Sequence, residues 1–180
     1  RLDGQVRELE VQRDALQSGA DRAKAATQQA QERLDSLAIL AGTVKATGPG
    51  IRMTIADSSG AVRASALLDV LQELRDAGAE VVQFGTVRIV AGSYFSDAGT
   101  SVTADGLALS RPYIILAIGD PQTLASAMNI PGGIVDSMKR LGASASVDQL
   151  STVTIDALHT PKAPRYAQPV PEPTAAPTGG

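Results

Sequence analysis

Cysteine is absent from the sequence, which excludes disulfides, thiolate metal sites and cysteine nucleophiles. Histidine occurs once, at His159. A metal site without Cys needs several histidines or a carboxylate cage, and general-base chemistry wants an imidazole beside a partner. His159 stands before Thr160-Pro161 at the edge of the folded part, where a surface residue is expected. Tryptophan is missing and aromatics make up only 3% of the chain, so the core must be drawn from Val, Ile, Leu and Ala. No apolar run approaches the roughly 18 consecutive residues of a membrane-spanning helix. Clusters of Lys and Arg are also lacking. A net charge of −3 and a pI near 5.1 argue against a nucleic-acid binder, whose domain carries a basic face. The G-x-S-x-G, S-x-x-K, H-E-x-x-H, P-loop and G-x-G-x-x-G patterns do not occur. We assign no catalytic, cofactor-binding or metal-ligating residue, and read the protein as no enzyme.

What is present divides the chain in three. In residues 1–42 a 4-3-4-3 spacing runs through Leu2, Val6, Leu9, Arg13, Leu16, Ala20, Ala23, Thr27, Ala30, Leu34, Leu37 and Ala41. An apolar residue every 3.5 positions keeps one stripe of a helix facing a partner helix, the condition for a coiled coil. The expected interface is Leu2, Val6, Leu9, Leu16, Ala20, Ala23, Ala30, Leu34 and Leu37, paired with a second copy or with another protein's helix. Its middle, Ala20 to Ala30, is thin, and Gly4 and Gly19 each cost about 1 kcal/mol relative to Ala. A helix standing alone is the rival reading. Arg13, at a seam position, would select register or partner. The chain opens at Arg1, without Met and inside the helical pattern, so residues upstream are expected, with a membrane anchor among them.

Residues 43–160 read as one α+β domain. Gly42 stops the helix, and Thr43–Thr47 suggests a short strand ahead of a turn or bulge at Gly48-Pro49-Gly50. Ile51–Asp57 alternates as a half-buried strand. A helix over Ala64–Ala77 shows Leu67, Leu68, Leu71 and Leu74 on one face and ends at Gly78. Strands follow at Glu80–Phe84 and Thr86–Ala91, with one or two more within Gly92–Ser110. Tyr113–Gly119 is nearly all apolar, as in a central strand. Helices from Pro121 and over Ile134–Leu141 flank Pro131-Gly132-Gly133, and late strands fall at Ala143–Asp148 and Thr152–Asp156. Reduced to its long elements, this is a ferredoxin-like split βαβ sheet with helices on one face; the strands near 43–47, 94–109 and 152–156 extend or cover it. Residues 161–180 hold six prolines, a composition that favours an extended, disordered tail.

Arg88 draws attention because it interrupts an apolar strand. It faces solvent, pairs with a carboxylate as an internal salt bridge, or serves an interface. Pro131-Gly132-Gly133 opens a helix, where free amides favour anions, but a tight interhelical turn accounts for it. Asp57, Asp69, Asp120 and Asp136 have no metal-site spacing.

The motifs Gly48-Pro49-Gly50, Asp57, Leu67-Leu68-Asp69-Val70-Leu71-Gln72-Glu73-Leu74 and Ala77-Gly78-Ala79-Glu80 come in a fixed order. Arg88, Pro112-Tyr113, Ala117-Ile118-Gly119-Asp120, Pro131-Gly132-Gly133 and Tyr166-Ala167 follow them. In that order, from Leu34 to Ala167, the chain resembles the bacterial DUF881 family, the YlxW-like proteins of unknown function. It departs from the family's habit at Gln72 and at Gly85-Thr86-Val87, where polar Asn residues are common. The resemblance implies a single-pass membrane protein with a coiled coil and this domain outside the cytoplasmic membrane, associated with envelope and division genes and with no established activity. The architecture is also similar to that of ring-forming secretion and pilus assembly proteins, which is analogy. The expected function is a membrane-tethered extracytoplasmic scaffold of the bacterial envelope, working as a homodimer or hetero-pair. The alternative is a small-ligand sensor at a dimer interface.

Overall fold

A computed structural model of the chain describes residues 2–170, and the side chains of residues 7, 8 and 10–170. One long helix, α1 (Leu2–Ala41), precedes a body in the order β1 (Ala46–Ala56), α2 (Ala64–Asp76), β2 (Val81–Phe84) and β3 (Val87–Ile89). Next come β4 (Phe95–Ala98), β5 (Ser101–Ala104), β6 (Leu107–Ala108) and β7 (Tyr113–Ile118). Helices α3 (Pro121–Met128) and α4 (Ile134–Arg140) lead into β8 (Ser144–Ile155). The fold is mixed α+β: a five-stranded antiparallel sheet ordered β3-β2-β7-β1-β8, and a three-stranded sheet β4-β5-β6.

The main core lies between the large sheet and its helices. Ile51, Met53 and Ile55 of β1 and Tyr113, Ile115 and Ala117 of β7 point to one face by the period of two. They meet Leu67, Leu71 and Leu74 of α2, Leu124 and Met128 of α3, and Met138 of α4. Helix α2 buries Ala66, Leu67, Val70, Leu71 and Leu74, while Leu68, expected on that face, is 40% exposed. Val70 completes the stripe in its place, since the spacing of 3 and 4 centres the face there. Asp120 caps α3 by accepting from the Thr123 amide and hydroxyl, with Pro121 in the first turn.

Three strand expectations are corrected. Gly48-Pro49-Gly50 does not separate two strands: β1 runs through it, and the register against β8 shifts between Gly48 and Gly50. Gly48 opposes Val153 and Gly50 opposes Leu150, so Ser151 and Thr152 of β8 form the bulge across from Pro49. A proline inside a central strand cannot donate to the ladder, and a bulge is where a sheet tolerates it. Gly50 is required for another reason, because a Cβ there would overlap the Ala117 carbonyl oxygen of β7. Second, the two late strands are one, β8, whose two halves lie either side of that bulge. Third, of the two readings given for the strands near 94–109, β4–β6 cover the large sheet and do not extend it. Their turn closes the α2 N-terminus, where Asp97 Oδ1 accepts from the Ala64 amide and Arg63 Nη1 donates to the Gly99 carbonyl. Phe95 packs edge-on against Phe84 of β2, with ring centroids 4.9 Å apart.

The reverse face of the sheet carries a smaller cluster of Val81, Ile118, Val153 and Ile155, joined by Ala46, Leu116 and Leu150. Past Ala46 and Ile155 the ladder runs on: Lys45 pairs with Asp156 at 3.1 Å, and His159 N donates to the Gly42 carbonyl at 2.8 Å. The expected strand at Thr43–Thr47 is therefore a fringe of β1 held by the chain that leaves β8.

Glycine substitutions separate the two demands on this backbone. Gly50→Ala should lower unfolding free energy by about 3 kcal/mol through overpacking. Gly99→Ala, at φ +63° with no neighbour within 4 Å of the new methyl, should cost only about 1 kcal/mol of conformational strain. Urea denaturation of the two variants checks the order.

Candidate functional site

The place where α1 joins the body is the most constrained junction in the structure. Helix α1 ends in a left-handed residue, Gly42 at φ +73°. Gly42 N donates to the Ile39 carbonyl at 3.1 Å and Thr43 N to the Ala38 carbonyl at 3.0 Å, the paired bonds of a Schellman ending. A Cβ at Gly42 would press on Val90, Arg88 and His159 within about 3 Å. Three separate stretches of chain thus converge on one glycine.

Arg88 locks the junction. It is 2% exposed on β3, against the expectation that alternation might turn it to solvent. Its guanidinium donates from Nη2 to the Ile39 carbonyl at 2.8 Å and from Nη1 to the Val44 carbonyl at 3.2 Å. Among the described residues no carboxylate pairs with it, so an internal salt bridge is not what holds it. Carbonyls of the last helical turn are the negative end of the α1 dipole, and a cation there is favourable. Burial pushes the Arg88 pKa below its usual value by penalising the charged form. Of the two acceptors that offset this penalty, the Ile39 carbonyl is supplied by α1 and the Val44 carbonyl by the link to β1.

Above the junction the described seam residues of α1 are exposed. Leu16 is 75% exposed, and Leu34 and Leu37 are each 60% exposed. Arg13, Ala20, Ala23, Thr27, Ala30 and Ala41 are exposed too, while Leu2, Val6 and Leu9 lie outside the described side chains. Arg13 pairs with the neighbouring Asp14 at 2.8 Å, and Thr27 Oγ1 donates to the Ala23 carbonyl. At its base, Leu40 walls a cleft of about 460 Å³ whose other sides are Leu71, Val82, Ile89 and Val90, with Arg75 and Glu80 at the rim.

Among the described residues no three His, Asp or Glu side chains come together as a metal cage. Asp57 is buried and accepts from the Ala61 and Val62 amides, with Arg111 at 3.9 Å. Asp69 is exposed on α2. Asp120 holds its cap, and the Thr123 hydroxyl and amide lower its pKa. Asp136 accepts from the Gly132 amide at 2.7 Å, which lowers its pKa first, with Lys139 adding to the effect. The amide at Pro131-Gly132-Gly133 that an anion would need is therefore taken by the chain itself. His159 is half-buried beside Gly42 rather than a free surface residue, and shares a cleft of about 400 Å³ with Tyr94, Asp105 and Lys162. Asp105 in that cleft is occupied by Ser93 Oγ at 2.8 Å and the Tyr94 amide at 3.0 Å.

Replacing Arg88 by Met should cost about 2–3 kcal/mol, the range for two charge-assisted bonds lost in a buried place. Arg88→Lys should recover only part of this, because an ammonium cannot reproduce the planar fork. In both variants, amide exchange should accelerate at Gly42 and Thr43 before it does in β1 and β7. Unchanged protection at those two residues would mean that the guanidinium is not what secures the helix.

Comparison with known proteins places this geometry in a group. Residues 33–168 match the family described as bacterial protein of unknown function (DUF881). The match takes in the last turns of α1, the junction and the whole body. UPF0749 protein Rv1825 of Mycobacterium tuberculosis (strain ATCC 25618 / H37Rv) is 45% identical over 173 residues, covering 94% of this chain and 59% of that protein. UPF0749 protein YlxW of Bacillus subtilis (strain 168) is 32% identical over 120 residues, covering 60% of this chain and 52% of that protein. The chain thus spans about three fifths or less of the length of these relatives. A crystal structure of an uncharacterized conserved protein from Mycobacterium tuberculosis is similar over 77% of this chain and 99% of that one, with 48% identity and a TM-score of 0.70.

Proposed function

The chain belongs to the bacterial DUF881 family of unknown function, and from that premise we propose a non-enzymatic scaffold of the cell envelope, assembled through α1 and tethered to the cytoplasmic membrane. The observation that carries this reading is the helix itself. Helix α1 is forty residues long, and among its described side chains the seam residues Leu16, Leu34 and Leu37 are left 60–75% exposed. Leaving Leu16, Leu34 and Leu37 in water forgoes about 1.5–3 kcal/mol per side chain that pairing would recover. A second copy supplies the matching stripe. Arg88 and Gly42 fix the helix to the body, so pairing of the helices also sets the spacing and orientation of two bodies. Among the described residues no helix is long and apolar enough to cross a membrane. The tether in this reading lies outside this chain, and the greater length of the relatives leaves room for it. An extracytoplasmic location and a link to division come with the same reading.

The order β2-β7-β1-β8 of the large sheet, with α2 linking β1 to β2 and α3 and α4 linking β7 to β8, supports a ferredoxin-like split βαβ body. The cleft of about 460 Å³ under Leu40 favours one second reading. Its size falls in the range of small-molecule sites, so a sensor with its ligand at the base of the paired helices is the alternative.

Sedimentation equilibrium on the chain decides between pairing and a lone helix. The wild type should have at least twice the monomer mass at high micromolar concentration, and Leu34→Glu/Leu37→Glu should lower that mass by removing the helix contact, with an unchanged body by circular dichroism. A wild-type monomer at that concentration would rule out homodimerisation through α1. A thermal-shift screen with nucleotides, amino acids and peptidoglycan fragments tests the alternative, and a flat response counts against it.

A further inference from the structure

The large sheet has two edges, and the chain treats them in opposite ways. At one edge, β3 is three residues long and all of them are buried. Beyond it, Val90 N donates to Ser93 Oγ at 2.9 Å, and the Val90 carbonyl accepts from Arg75 Nη2 at 3.1 Å and from the Ser93 amide at 3.0 Å. The junction of α1 closes over what is left. At the other edge, β8 is twelve residues long, about 40 Å at roughly 3.3 Å per residue. Along its outer side no backbone hydrogen bond is made to any described residue. An edge strand is ordinarily protected by short length, lysines, proline or a covering loop. Strand β8 has no proline, no lysine and one charged residue, Asp148, in the sequence SASVDQLSTVTI. The bulge at Ser151-Thr152 sets off its far half, and Ser144–Leu150 runs in unbroken register on β1 with its outer edge bonded to no described residue.

We propose that the outer edge of β8 pairs antiparallel with β8 of a second copy, joining two five-stranded sheets into one continuous sheet. The occupant follows from symmetry and composition. An antiparallel strand pair has a two-fold axis normal to the sheet, so an edge that can form one such pair is complementary to itself. Keeping each face of the sheet continuous requires opposed residues to share a face, and therefore one residue of β8 must lie opposite its own copy. With a single charge in the strand, like-charge repulsion excludes only the register centred on Asp148. The contact uses no residue of α1 and stands independently of helix pairing. If both contacts form, two different two-fold interfaces on one chain link dimers end to end.

The absence of cysteine from the sequence makes the test direct. Single cysteines are placed in turn at Ser144, Ala145, Ser146, Val147, Asp148 and Gln149 of the full chain, with Asp69→Cys on exposed α2 as the control. Opposed residues of an antiparallel pair have Cα atoms about 4.5–5.5 Å apart, within the reach of a disulfide. Under mild oxidation one position, expected at Ala145, Ser146 or Val147, should give disulfide-linked dimer far above its neighbours and the control. The same peak should persist in a Leu34→Glu/Leu37→Glu background. A profile no higher than the control overturns the proposal. So does a peak that vanishes in that background, since the contact would then be a by-product of helix pairing. A peak that persists while the wild type and the seam variant have equal mass keeps the edge contact and removes the helix reading instead.

Discussion

A charged side chain withdrawn from water has to be answered, and Arg88 is answered by the end of a helix that lies outside the sheet it belongs to. That choice of partner makes the helix part of the fold. The Ile39 carbonyl receives both the Schellman bond from Gly42 and the Arg88 guanidinium, so unwinding the last turn would strand a cation at 2% exposure. The cost of such stranding, several kcal/mol for a desolvated charge, is large against the ordinary stability of a small domain. Helix α1 is thin in apolar surface over much of its length, yet its base is among the firmest places in the molecule.

Much of this was legible in the sequence, and the misses share a cause. Periodicity located α1 and α2 and an apolar run located β7, while the turn chemistry at Gly42, Gly78 and Pro131-Gly132-Gly133 placed the ends of α1 and α2 and the break between α3 and α4, because these signals are local. The continuity of β1 through Gly48-Pro49-Gly50 is not local. Whether a proline ends a strand or sits at a bulge depends on the partner strand, and Ser151-Thr152 lies about a hundred residues away. The same distance split β8 in two on paper. Strands β4–β6 were expected to extend or to cover the large sheet; they cover it, with Val102 and Ala104 in its core, and their closure of α2 through Asp97 and Gly99 left no local signal. Arg88 stood out as a misfit in an apolar strand, but a backbone carbonyl leaves no mark in a sequence. The half-burial of His159 was missed for the same reason, since what holds its segment is the Gly42 carbonyl.

Several aspartates of the described residues serve the architecture. Asp57, Asp97, Asp105, Asp120 and Asp136 each close a turn or a helix end by accepting backbone amides. Their positions are set by the separate turns and helix ends they close, and among the described residues they form no cluster of three. The family shares a body about whose chemistry the relatives' names say nothing. What distinguishes the body is how it carries a helix on one side and leaves a long strand bare on another.

The ladder from Gly42–Ala46 to Ile155–His159 brings the two flanking segments out side by side. Tension applied between α1 and the proline-rich segment would load those bonds one after another, like a zip opened from its slider, and would part them at low force. Tension between α1 and a neighbour gripping the outer edge of β8 would load the β1–β8 ladder along its length in shear. The same domain is thus soft along one line of pull and stiff along another, and which of the two it meets is decided by what holds its ends.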